Sequence, residues 1–176
     1  MTIIGSGVVN IPNSDQSGRV TIIQSGILSG SCGRSVTSIS ILDGTPDLDH
    51  SSSGPTTNTF AAGEAITVMN LVYLKSDGEW WKTDADDVTT STGLLAISLE
   101  SKIDGELMNV SLPGSFIRDG SWAWAQGSTL YIDVTIPGGI TNIQPSGTDD
   151  VIRVIGWAVT PTIIYFFPSS DYITHI

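Results

Sequence analysis

The sequence predicts an all-β protein. It reads as a small antiparallel β-barrel or sandwich over residues 60–176, preceded by a β-rich N-terminal arm and with no long helix. Three observations lead there. Turn signals such as Ser76-Asp77-Gly78, Pro113-Gly114, Asp119-Gly120 and Pro137-Gly138-Gly139 punctuate the chain at the spacing of sandwiches and barrels. Between them the apolar residues alternate or come in short runs, as in ELMNVSL (106–112) and SWAWAQ (121–126). Glycine is abundant, at 19 of 176 residues, and it breaks up helical periodicity, above all in the first third of the chain.

Residues 1–42 form the predicted arm. Small apolar clusters (Ile3-Ile4, Val8-Val9, Val20 with Ile22-Ile23, Ile27-Leu28) alternate with Ser-Gly breaks at Ser17-Gly18, Ser25-Gly26 and Ser29-Gly30. Short β segments suit this pattern, but an apolar face so small cannot close a core alone. It must pack on another surface. Ile3, Ile4, Val8, Val20, Ile22, Ile23, Ile27 and Leu28 are therefore the candidate attachment or subunit contacts. Residues 43–59, DGTPDLDHSSSGPTTNT, have the proline, glycine and serine content of a linker. Asp43, Asp47 and Asp49 with His50 do not reproduce the spacing of a calcium loop, so no metal ligands are assigned there.

The predicted domain begins with a hairpin. Residues 66–74 and 79–83 supply its strands, and Gly78 is free to take the positive φ of the turn. Asp84, Asp86 and Asp87 close the hairpin in solvent. GLLAISL (93–99) is a continuous apolar run between turns and predicts a buried strand. Residues 106–112, 115–118, 121–126, 127–134 and 140–144 follow as strands, and 151–159 with 162–167 make a last pair broken at Pro161. Trp80 and Trp81 are adjacent, so in a strand they point to opposite faces, one toward a core and one toward a surface or interface. Trp122 and Trp124 share a face, and Trp157 lies on the last hairpin. Trp80, Trp81, Trp122 and Trp124 are the candidate interface or glycan-stacking aromatics.

Charge narrows the function classes. The net charge is −11, from 18 acidic and 7 basic residues, which argues against phosphate-backbone binding and against an anionic membrane surface. Only 14% of residues are charged, well under the usual level of about 25%, so part of the surface is expected to be covered by other subunits. A single cysteine, Cys32, excludes an internal disulfide and reads as a packing residue. The N-terminal residues lack the basic and apolar regions of a signal peptide, and no apolar run approaches the roughly 20 residues of a membrane helix. The two histidines, His50 and His175, belong to no nucleophile, metal or phosphate-loop motif. No catalytic, cofactor or metal residues are assigned, and the expectation is a protein without enzymatic activity.

The order AAGEAI, LVYLKSDGEWWKTDADD, GLLAIS, VSLPGSF, GSTLYID and VIRVIGWAVTPTIIYFFPS, spread over residues 60–176, resembles the small all-β proteins on the outside of tailed-phage virions. These are the head-decoration (cement) proteins and the C-terminal domains of head fibres. Residues 1–59 carry no such likeness. The resemblance implies a structural protein on the capsid exterior. It implies a homotrimer that contacts the major capsid protein and stabilises the shell. The apolar N-terminal segment is then the expected means of attachment. The alternative is a head- or tail-fibre tip that binds a host receptor or glycan.

Overall fold

The computed structural model describes residues 45–176. The candidate contacts between Ile3 and Leu28 lie outside the described residues.

Thirteen strands are present among the described residues. They are β1 (Ser51–Ser53), β2 (Thr56–Thr57), β3 (Leu71–Leu74), β4 (Trp80–Lys82), β5 (Leu95–Ser98), β6 (Val110–Ser111), β7 (Ser115–Arg118), β8 (Thr129–Ile132), β9 (Ile140–Thr141), β10 (Val151–Ile152), β11 (Val154–Thr160), β12 (Ile163–Phe166) and β13 (Ile173–Thr174). One four-residue helix, α1 (Val88–Ser91), is capped by the Asp87 carboxylate, which accepts from the Thr89 amide. The all-β class and the absence of a long helix among these residues match the expectation.

The strands build a sandwich. A six-stranded sheet runs β1-β7-β12-β11-β8-β9, a five-stranded sheet runs β2-β6-β5-β3-β4, and β10 pairs with β13 apart from both. Every ladder is antiparallel. Leu71, Tyr73, Leu95 and Ile97 of the smaller sheet meet Ile117, Leu130, Ile132, Ile155, Ile164 and Phe166 of the larger one in the central core. These are alternate residues along each strand, as the two-residue period of a pleated strand requires.

The smaller sheet is buried on its other face too. Val72, Trp80, Ala96 and Val110 pack there under Ala62, Ile66 and Met108. Residues 60–66 and 102–108 cover this face by bonding to each other, from the Ala62 amide to the Glu106 carbonyl and reciprocally between Ile66 and Lys102. That double burial explains why 95–98 reads as a continuous apolar run rather than an alternating one.

The β3–β4 hairpin forms as predicted, with Leu74 opposite Trp80, Tyr73 opposite Trp81, and Gly78 at φ 87° in the turn. Three expectations need correction. The predicted linker is not one from residue 51 onward. Its serines and threonines form β1 and β2, and these take the first place in each sheet. Short hydroxyl side chains satisfy one another there, as between Ser52 and Ser111 Oγ at 2.6 Å. The segment 121–126 is not a strand. Although its tryptophans alternate, Trp124 makes a single main-chain bond, to the Pro161 carbonyl, and no ladder runs alongside. The strands predicted over 66–74 and 106–112 are also cut to four and two residues, because their remaining residues turn out of the sheet to form its cover.

Candidate interaction surface

Antiparallel pairing places directly opposed residues on one face of a sheet. In the larger sheet, Phe116 of β7 opposes Tyr165 of β12, Tyr165 opposes Trp157 of β11, and Trp157 opposes Thr129 of β8. The neighbours Ile117, Ile164, Phe166 and Leu130 point into the core, so this row points away from it. Phe167 joins the row two residues beyond Tyr165. The Phe116 and Tyr165 rings lie 5.0 Å apart at a tilt of 40°, and Tyr165 stacks on Phe167 at 5.8 Å and 8°. Trp157 remains 42% exposed and Phe167 50%. The result is a band of four aromatic rings on the outer face of the sandwich.

A β-bulge sets the position of Trp157. The register of β11 against β8 slips between Val154 and Gly156. Gly156 takes φ 155°, and a Cβ there would collide with the Tyr165 carbonyl oxygen. Only glycine lets the two strands approach at this point. The bulge thereby aims Trp157 outward while Ile155 remains in the core.

The four tryptophans singled out from sequence are placed differently from that band. Trp80 and Trp81 do point to opposite faces. Trp80 is fully buried and meets Phe60 edge-on, with centroids 6.1 Å apart. As a candidate for glycan stacking it is corrected to a core residue, because the cover over the smaller sheet encloses it. Trp81 packs at the margin of the central core, with Lys75 Nζ 3.8 Å from its ring centroid and Gly63 against its indole. Trp122 and Trp124 rest on the central core as a tilted pair 6.0 Å apart, and both are partly buried. The structure therefore does not gather these four into one surface. The signal for the aromatic band was present in the sequence as Tyr165 and Phe167, two residues apart in a strand. Phe116 could not be joined to them without the strand pairing.

Two ionisable features complete the surface description. Burial, reinforced by the charges of Asp86 and Asp133, holds the Asp84 carboxyl above the usual carboxylate range. At the end of β1, Asp49 and His50 meet Asp119, which follows β7; among the described residues this is the group of metal-ligating side chains that converges. A hydrogen bond from the Gly120 amide leads the causes that hold the Asp49 carboxyl below its ordinary value. Asp43, considered with Asp47 in the same stretch, lies outside the described residues.

Comparison of the chain with protein-family models, with curated proteins and with solved structures found no match.

Proposed function

We propose that this is a non-enzymatic structural protein of a tailed-phage virion. In this reading it decorates and stabilises the capsid exterior as a homotrimer, bound to the major capsid protein through its N-terminal segment. The reading rests on the resemblance over residues 60–176 and on the low share of charged residues. The observation that carries it is the aromatic band of Phe116, Trp157, Tyr165 and Phe167 on the larger sheet. A partly exposed aromatic face on a sandwich of this size suits burial against another protein surface, and aromatic residues are enriched at the centres of such contacts.

Sedimentation with empty capsids of the same phage, together with light scattering of the free protein, tests the proposal. The full chain is expected to co-sediment and to have the mass of a trimer. A chain beginning at Thr45 is expected to stay folded and to lose capsid binding. The cut precedes β1 and β2, because both strands are part of the sandwich. Undiminished binding by the shortened chain would move attachment into residues 45–176.

The same band supports the alternative reading, a fibre tip that binds a host glycan, since exposed aromatic rings also stack on sugars. Glycan-array binding that is lost in Trp157→Ala would favour it over decoration.

A further inference from the structure

We propose that Asp49, His50 and Asp119 form a binding site for a borderline divalent metal ion of the zinc type, joining the edge strand β1 to β7. This inference does not depend on the virion reading. Sequence spacing assigned no metal ligands among Asp43, Asp47, Asp49 and His50, and strand pairing sets Asp119 beside the last two. Ser51 of β1 pairs with Arg118 of β7. The next residues outward along this antiparallel ladder are His50 and Asp119, and Asp49 then faces Gly120. Register sets His50 beside Asp119, and the left-handed backbone of His50, at φ 51°, brings Asp49 to the same end of the sheet.

The geometry is that of a ligand set slightly open. His50 Nε2 lies 3.8 Å from Asp49 Oδ2 and 3.8 Å from Asp119 Oδ1. One ligand atom from each of the three residues lies within 4.8 Å of the others. Donors bound to one ion at about 2.0–2.2 Å stand roughly 3.0–3.5 Å from one another, so closure needs movements of about an ångström. The side chains of His50 and Asp49 can make them, being 45% and 57% exposed. At 3.8 Å the imidazole is too far from either carboxylate for a hydrogen bond.

A second observation points to a cation. The Asp119 side chain is only 8% exposed. Its Oδ1, the oxygen nearest the imidazole, accepts from the Ser121 amide at 2.8 Å and keeps a further lone pair for a ligand. Its one ion-pair partner among the described residues is His50, at 3.8 Å. A carboxylate so largely buried is favoured by positive charge close by, and its Oδ1 is turned toward the imidazole. A metal ion between Asp119, His50 and Asp49 supplies that charge.

The ligand types select the ion. Calcium and magnesium favour all-oxygen shells, whereas one imidazole with carboxylates suits zinc and its neighbours. Three protein ligands leave at least one position for water. Asp49 is oriented by the Gly120 amide on its Oδ1, which leaves Oδ2 toward the site. β1 has three serines and lies at the sheet edge, with one neighbouring strand and no apolar side chain. A metal bridge would hold it where packing does little.

The test is calorimetric titration of the chelator-treated full chain with Zn²⁺, read beside histidine side-chain NMR. Saturable binding of one ion per chain is expected, with a rise in melting temperature and a shift of the His50 imidazole signals but not those of His175. Affinity should fall as pH is lowered, since an imidazole ligand must be deprotonated. His50→Gln and Asp119→Asn should each weaken binding by tenfold or more. If Asp119→Asn fails to fold, the exposed His50→Gln decides the matter alone. Absence of saturable binding at millimolar Zn²⁺, or affinity unchanged in His50→Gln, would overturn the site.

Discussion

The two sheets of the sandwich share one core and differ in what lies outside it. The five-stranded sheet is covered on both faces, because residues 60–66 and 102–108 leave its strands, bond to each other and close over Val72, Trp80 and Ala96. The six-stranded sheet has connections that do not cover its aromatic row, and Trp157 and Phe167 remain about half exposed there. Large apolar side chains therefore serve different ends in the two sheets. Under a cover they add to folding stability through area removed from water. Without one, most of that gain is available only when another surface arrives. The difference teaches that the placement of the loops, rather than strand composition, decides which aromatic face is core and which is contact.

The largest expected effect breaks the shared core. Leu95 is about 1% exposed and lies in the central cluster. Leu95→Asp buries an unpaired charge and should cost more than about 4–5 kcal/mol, enough to abolish the cooperative thermal transition seen by circular dichroism. A retained transition would mean that the two sheets do not depend on one core. The comparison itself is sharpened by paired tryptophan variants. Trp80→Ala should lose about 3–5 kcal/mol in denaturant titration, whereas Trp157→Ala should change stability by less than about 1 kcal/mol. Equal losses would mean that the faces are not differently covered.

Gly156→Ala tests how the exposed band is aimed. The added methyl meets the Tyr165 carbonyl at a backbone angle that L residues avoid. It should destabilise by roughly 1–3 kcal/mol and reduce the exposure of Trp157, read from its quenching by acrylamide in a chain whose other tryptophans are changed to phenylalanine. An unchanged melting temperature would show that the bulge is not held by this contact.

The smallest effect is electrostatic. Asp84 follows β4 of the covered sheet, and its carboxyl is held above the ordinary range, first by burial and then by Asp86 and Asp133. A raised folded-state value means that the charged form costs stability above that value. The cost disappears as pH falls below the unfolded-state value near 4. Asp84→Asn should therefore be stabilising at pH 7, by no more than about 0.5 kcal/mol after solvent screening, and neutral near pH 3. Melting curves at the two pH values give the comparison. A variant less stable at pH 7 would show that the carboxylate is favourable where it stands.

Local pattern determined much of this protein. The all-β class, the β3–β4 hairpin with Gly78 in its turn, the buried strand over 95–98 and the opposite facing of Trp80 and Trp81 were all legible. Each follows from a two-residue side-chain period or from turn chemistry, and both act over a few residues. What tertiary structure alone decided concerns partners far apart in the chain. It decided that Trp80 and not Trp81 is enclosed, because the cover comes from residues 60–66 and 102–108. It made strands of Ser51–Ser53 and Thr56–Thr57, whose composition is that of a linker, by giving them β7 and β6 as neighbours. It assembled the aromatic band from β7, β11 and β12, and it set Asp119 beside Asp49 and His50. Apart from the cover over Trp80, the deciding quantity is the register between strands, and register is fixed by burial of the whole face rather than by any short stretch of sequence.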